Sequence, residues 1–286
     1  MTAVIDELLH VVQLEQIEDN IFRGESRDIG TPRVFGGQVL AQSLLAATRT
    51  VDSIRKPHSM HAYFLRAGDV SAPIVYEVDR SREGRSFTTR RVVAIQHGRP
   101  IFTMASSFQV PEEGMEHQMP APDVPDPDSL GPTSPLSAEI LAEIPVKLRR
   151  WFLQAGPFEF RSVQAFNPLN PGVHEPARQV WFRCRGKLPD DMDLHQVLLA
   201  YASDFQLVGT ASLPHDVSFL SGKLMLASLD HAMWFHRPCR VDDWLLYACD
   251  SPSASGGRGL ARGSIYNRDG VLVASTAQEG VMRKLQ

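Results

Sequence analysis

Apolar residues follow three rhythms along this chain, and each predicts a different element. At the N-terminus Ile5, Leu8, Leu9 and Val12 recur at helical spacing, so MTAVIDELLHVVQLEQIEDN opens with an amphipathic helix. From Gly36-Gly37 through Ala47 the stretch GGQVLAQSLLAA carries no charge, and a helix apolar nearly all round is a buried one. The second-half segment DDMDLHQVLLAYASDFQLVGTA has the same character and the same Gln-Val-Leu, beginning at Gln38 in one half and Gln196 in the other. Alternation of apolar and polar residues, as in Phe87-Thr88-Thr89-Arg90-Arg91-Val92-Val93, marks half-buried strands. Each half therefore reads as a strand region, one long buried helix, then consecutive antiparallel strands. A helix wrapped by its own sheet is an α+β arrangement. A further helix is predicted over 137–153, with Ser137 as its N-cap.

The two halves also match in detail. Residues 61–110 and 231–281 both open on His-Ala, at His61 and His231. Both continue through a Ser/Arg/Gly-rich turn, an Arg-bearing strand, a hairpin at Gly98 or Gly270, and a last strand rich in Ala, Ser and Thr. Aligning the histidines sets an offset of about 170 residues. Two copies are too few for a solenoid, so this is a duplicated domain. Between the copies, residues 111–136 are crowded with prolines and acids, which sustain neither helix nor ladder and predict an extended linker of polyproline character. The expected domains are residues 1–115, a linker over 116–136, and residues 137–286.

Composition narrows the classes of partner. A net charge of −4 gives no basic field, so nucleic acid is not an expected partner. The three cysteines, Cys184, Cys239 and Cys249, form no CxxC pair and are expected to be reduced thiols. No stretch approaches the ~18 apolar residues that suggest a membrane span. The N-terminus lacks the basic region and apolar core of a secretory signal, and KLQ at the C-terminus is not a peroxisomal address. A cytoplasmic location is expected.

Few residues stand out chemically. Asp204 closes the apolar run Leu198-Leu199-Ala200-Tyr201-Ala202-Ser203, and a lone carboxylate there is unusual because burying an unpaired charge is expensive. It is equally a helix end returning to solvent. An ungapped match on Gln-Val-Leu sets it opposite Ala46, so a pure folding role does not explain it in both copies. Gln278, in the last strand, corresponds to Ser106; its amide can hold a water and orient a carboxylate, or simply face outward. Ser228, just before a strand, reads unaided as a turn residue. His58 and His61, like His231 and His236, are spaced suggestively, but alternation sets His58 and His61 on opposite faces and no third ligand follows, so no metal is expected.

The segments FRGESRDIGTPRVFGGQVLAQSL, HSMHAYFLRAGD, RSFTTRRVVAIQHGRPIFTMASSFQ, YASD, LDHAMWFHRP and DGVLVASTAQEGVMR resemble acyl-CoA thioesterase II, the TesB-type family, from about residue 5 to residue 283. The resemblance implies a double hot-dog fold: two tandem hot-dog domains, each a long helix inside an antiparallel sheet. It implies hydrolysis of medium- to long-chain acyl-CoA, with Asp204, Ser228 and Gln278 together holding and polarising the attacking water. No cofactor is implied. On this reading Ser228 is a water ligand, and no GxSxG elbow suggests a nucleophile. His58 becomes a candidate substrate contact, and Arg82, Arg85, Arg90 and Arg91 become either a solvated face or a phosphate clamp for coenzyme A. Gly36-Gly37 offers backbone N–H groups to a ligand, or merely close packing. Sheet edges left open predict a homodimer or homotetramer. Two rivals remain. Asn170-Pro171 with His174 and Glu175-Pro176 faintly matches an enoyl-CoA hydratase motif, although Pro168 stands where that motif has Asp. A non-catalytic acyl-binding protein is the other.

Overall fold

A computed structural model of the chain describes residues 3–27, 33–131, 156–164, 166–167, 169–218 and 223–285. The helix expected over 137–153 lies outside them. Helix α1 (Ala3–Val12) buries Ile5, Leu8, Val11 and Val12. Strands β1 (Leu14–Glu18) and β2 (Ile21–Gly24) lead into α2 (Gly36–Thr48). Then come β3 (Lys56–Phe64), β4 (Ile74–Glu83), β5 (Phe87–Gln96) and β6 (Arg99–Gln109). The second half runs through β7 (Phe158–Ser162), β8 (Ala177–Cys184) and α3 (Met192–Ser203). A 3-10 segment, Val208–His215, precedes β9 (Leu224–Ser228), β10 (Asp230–Phe235), β11 (Leu245–Ser255), β12 (Arg258–Asn267) and β13 (Leu272–Lys284). Among the described residues, no helix is long and apolar enough to cross a membrane.

The chargeless composition of α2 has the expected consequence. Its residues from Gly37 to Leu44 are all buried, including two glutamines. Gln42 Nε2 donates to the carbonyls of Val11 and Glu25, and Tyr76 Oη donates to Gln42 Oε1. Gln38 Nε2 likewise donates to Glu25 O. Buried amides are tolerated because each finds partners.

Among the described residues, thirteen strands join one antiparallel sheet, ordered β1-β2-β4-β5-β6-β3-β10-β13-β12-β11-β8-β7, with β9 added on β13. The halves meet at β3 and β10, so each copy closes the other's edge. Helices α2 and α3 pack against each other inside the sheet. This is the double hot dog.

The duplication can be read directly from one rung of side chains on the outer face. Across the sheet it runs Asp79, Arg91, Ala105, His61, Ala232, Ala277, Arg262, Asp250. Apart from His61 it is a palindrome, and it matches Arg91 to Arg262 and Asp79 to Asp250. The offset at β10 is therefore 171, the difference between 262 and 91, and the two His-Ala landmarks are not equivalent. A shift of one residue turns a strand side chain to the other face. His61 points outward against the edge of Trp234, whereas His231 is wholly buried.

The described part of the proline-rich segment makes no strand and one 3-10 turn, Pro127–Ser129, and it is no free spacer. Residues 111–131 lie along the outer face of the second copy. Trp181 Nε1 donates to Pro125 O at 3.0 Å, Gln118 exchanges two bonds with the backbone of Gly270 and Leu272, and Arg268 grips Asp126 and Asp128. Val124 and Leu130 pack on Trp181, Trp244, Leu246 and Tyr266. Proline removes donors from a segment but leaves its carbonyls to accept, and here they do.

Candidate active site

Helix α3 ends where α2 begins. Its last carbonyls are orphans of the helix ladder, and Tyr247 Oη donates to one of them, Ser203 O, at 2.9 Å. Thr276 Oγ1 braces that phenol at 2.8 Å. The next residue, Asp204, is the C-cap, and its side chain turns toward the first turn of α2. There Gly37 N donates to Asp204 Oδ2 at 2.9 Å. Two glycines permit this meeting. A Cβ at Gly37 would lie 2.2 Å from Tyr201 O, and one at Gly36 would lie 2.6 Å from Asp204 Oδ2. The ring of Phe64, from β3, closes over Gly36.

The other carboxylate oxygen faces the sheet. Gln278 Nε2, on the inner face of β13, donates to Asp204 Oδ1 at 2.8 Å and to Ser228 Oγ at 3.1 Å. Ser228 ends β9 opposite Gly280, also on the inner face. Gln278 is fully buried, while Asp204 keeps part of its surface open to solvent. Burial raises the pKa of Asp204 above the ordinary carboxylate value, and the hydrogen bonds from Gln278 and Gly37 offset that only in part. The geometry joins a carboxylate with raised proton affinity, an amide and a hydroxyl, with helix N-terminal amides alongside.

His58 does not join them. A bulge in β3 between Pro57 and Ser59 adds one residue, so His58 faces outward with His61, and alternation fails there. Its Nε2 meets Ser107 Oγ at 2.8 Å and its ring lies edge-on to Phe87, on the sheet face away from the helices. Nor do the four arginines form a phosphate clamp. Arg82, Arg85 and Arg91 are exposed, but Arg90 is 1% exposed and points inward. Arg90 donates to Thr50 O and Thr50 Oγ1 at 2.8 Å each and pairs with Glu83. It is a bolt for the chain after α2. Arg90→Met is expected to cost about 1–3 kcal/mol by leaving the buried Thr50 carbonyl unpaired, seen as a lower Tm with unchanged KM.

Counted from the helix N-caps, Phe35 and Asp191, Asp204 falls opposite Thr48 and not Ala46. Ser106 remains the counterpart of Gln278: Arg90 pairs with Ser106 across the ladder as Ala261 pairs with Gln278. In the first copy, then, no carboxylate or amide stands at either position. The hydratase-like stretch is occupied elsewhere, with His174 Nε2 against Pro171 O. Sequence reading missed Tyr247, and it singled out His231 only as a repeat landmark and a discounted metal ligand, not as a buried residue behind the site. The Gly36-Gly37 pair at a helix start was the one signal for the α2 contact.

Comparison with known proteins agrees with this architecture. Residues 23–109 match the family model described as acyl-CoA thioesterase N-terminal domain, and residues 151–281 match that described as acyl-CoA thioesterase. The chain is 45% identical over 284 residues to acyl-CoA thioesterase 2 of Haemophilus influenzae, covering 99% of each. It is 41% identical over 282 residues to human acyl-coenzyme A thioesterase 8, covering 96% of this chain and 88% of that one. Among solved structures, acyl-CoA thioesterase II TesB2 from Mycobacterium marinum superposes with a TM-score of 0.79 at 43% identity, over 97% of this chain and 98% of that one. A hot-dog protein from Alicyclobacillus acidocaldarius, 20% identical, shares the fold with a TM-score of 0.79 over 97% of this chain and 98% of its own. A double hot-dog fold, matched along its whole length to named acyl-CoA thioesterases, defines a class of thioester hydrolases. The chain belongs to the acyl-CoA thioesterase II, TesB-type, family.

Proposed function

We propose that the protein hydrolyses medium- to long-chain acyl-CoA to a free fatty acid and coenzyme A, at one site per chain. Asp204 takes a proton from a water whose oxygen attacks the thioester carbonyl. A C–O bond forms, the C–S bond breaks, and the sulfur leaves as coenzyme A thiolate, which is then protonated. Ser228 Oγ accepts the hydrogen of Gln278, so its own hydrogen is directed to the water or the substrate. The Gly37 amide is committed to Asp204 and the Gln38 amide to Phe35 O, so the positive end of α2, beside Asp204, would favour the negative charge that develops on the carbonyl oxygen, as helix N-termini do for anions. The single observation that carries this reading is Gln278 Nε2 bridging Asp204 and Ser228.

A thiol-release assay across a series of acyl-CoA chain lengths tests the reaction. Release of free thiol supports hydrolysis; hydration without thiol release, or binding alone, defeats it. Ser228 tests the mechanism. Ser228→Thr keeps the hydroxyl and is expected to keep most of the activity. Ser228→Ala loses one neutral hydrogen bond, about 1 kcal/mol or roughly fivefold in kcat. A covalent acyl-enzyme trapped on Ser228 would replace the water mechanism with nucleophilic catalysis.

A further inference from the structure

Two buried acceptors behind the site receive no donor from the protein. One is Gln278 Oε1, whose amide nitrogen is committed to Asp204 and Ser228. The other belongs to His231. Ser203 Oγ has one hydrogen, which goes to the Ala200 carbonyl at 2.9 Å. The contact between Ser203 Oγ and His231 Nε2, also 2.9 Å, therefore requires the proton on Nε2. That leaves Nδ1 of a neutral ring as a bare acceptor without a partner. Burial keeps the ring neutral, its pKa pushed down to about 3.

The two acceptors are neighbours. β10 and β13 pair at Ala232 and Ala277, so His231 and Gln278 are the next residues along, side by side across the ladder. Both side chains are 0% exposed and both point to the inner face. Opposed side chains there stand about 5 Å apart at Cβ. Two acceptors at that separation cannot bond each other. They are matched by a small molecule with two hydrogens to give, and buried polar pairs of this kind are the usual seats of structural water.

We propose that His231 is a positioning residue for Gln278, the two joined through one buried water that donates to His231 Nδ1 and to Gln278 Oε1. The inference rests on the reading of Gln278 as part of the hydrolytic site. Its effect is on orientation. A glutamine amide can turn over, exchanging donor and acceptor. With Oε1 held from behind, Nε2 stays aimed at Asp204 and Ser228. The chain Ala200–Ser203–His231–water–Gln278 thus ties the amide to the same last turn of α3 that carries Asp204.

The two ring nitrogens can be tested apart. His231→Asn retains an acceptor where Nδ1 stands and gives up the bond to Ser203. His231→Gln retains a donor where Nε2 stands and gives up the acceptor. If His231 positions Gln278, the Gln variant loses kcat by roughly tenfold or more, as small misplacements at a reacting centre do, with little change in KM. The Asn variant then stays within a small factor of wild type. If His231 only anchors Ser203, the order is reversed, and that result overturns the proposal. In a Gln278→Ala background, His231→Gln should add nothing, because coupled residues are non-additive. Additive losses sever His231 from Gln278 while leaving the site reading intact. Wild-type kcat in Gln278→Ala defeats the site reading itself. Should the His231 variants fail to fold, a high-resolution structure of the wild-type protein decides: the absence of an ordered water between Nδ1 and Oε1 overturns the proposal.

Discussion

Asp204→Asn should all but abolish turnover and, at neutral pH, raise the melting temperature. The loss follows from removing the proposed base, a contribution of about 10²–10⁴-fold. The gain follows from the sign of the pKa shift. Burial raises the folded-state pKa of Asp204 above its ordinary value of 3.8. The native state then holds this proton more tightly than the unfolded chain. The associated stability is full below the ordinary value and is lost as pH rises through the folded pKa. At neutral pH the buried charge is a net burden, and asparagine relieves it. One of the two hydrogen bonds to the side chain survives on the oxygen that asparagine keeps. Melting curves of wild type and variant should therefore diverge above the ordinary carboxylate value and converge below it. Equal kcat in a folded Asp204→Asn protein would remove Asp204 from the mechanism. Equal melting temperatures at neutral pH would show that the charge is not a burden. The same shift predicts that kcat/KM of the wild type falls on the acid side at a pH above the ordinary carboxylate range.

Residues 137–286 alone should be inactive, although they hold Asp204, Ser228 and Gln278. The isolated half lacks Gly37, whose N–H holds one carboxylate oxygen, and Phe64, which closes over the start of α2. It exposes the edge of β10 that β3 covers, an invitation to aggregate. It also lacks the proline-rich segment over 111–131, leaving Trp181, Trp244 and Leu246 without Val124 and Leu130. Supplying residues 1–131 in trans should restore more activity than supplying 1–115, because only the longer piece carries the contacts of Pro125, Asp126 and Leu130. Thiol release and light scattering on the purified pieces measure both. A monomeric 137–286 fragment with full activity would defeat the two-copy site.

The α+β class, the duplicated halves and the buried helices were legible because they are properties of long windows: a run without charge, an alternation, a recurring order of segments. Asp204 was legible for a related reason, being an acid where the composition has none. The failures lie at single residues. His58 changed faces because a bulge inserts one residue into β3, and nothing in KPHSMHAYF announces it. The His-Ala landmarks misled by one position because identity at two residues outweighed a register that only ladder pairing reveals. Arg90 looked like surface among three exposed arginines, yet alternation turned it inward, where Thr50 and Glu83 receive it. The proline-rich run showed what it lacks as a donor, while its role depended on carbonyls that every residue has. Ser228 was found by resemblance alone, since a serine before a strand carries no signal of its own.

The nearly palindromic rung has a consequence for what each half is free to become. In a two-fold dimer of identical chains, every substitution arrives twice. Arg90 and Ala261 occupy matching positions, each directly across from the residue that matches the other copy's, Ser106 and Gln278. In a symmetric dimer, the arginine that secures the chain after α2 would have a twin beside the Asp204–Gln278 pair. A guanidinium there would favour the charged carboxylate and draw its pKa back down, weakening it as a base. Joining the copies in one polypeptide releases them from that identity: one keeps the cation that holds Thr50, and the other keeps a methyl group where a cation would weaken the proposed base.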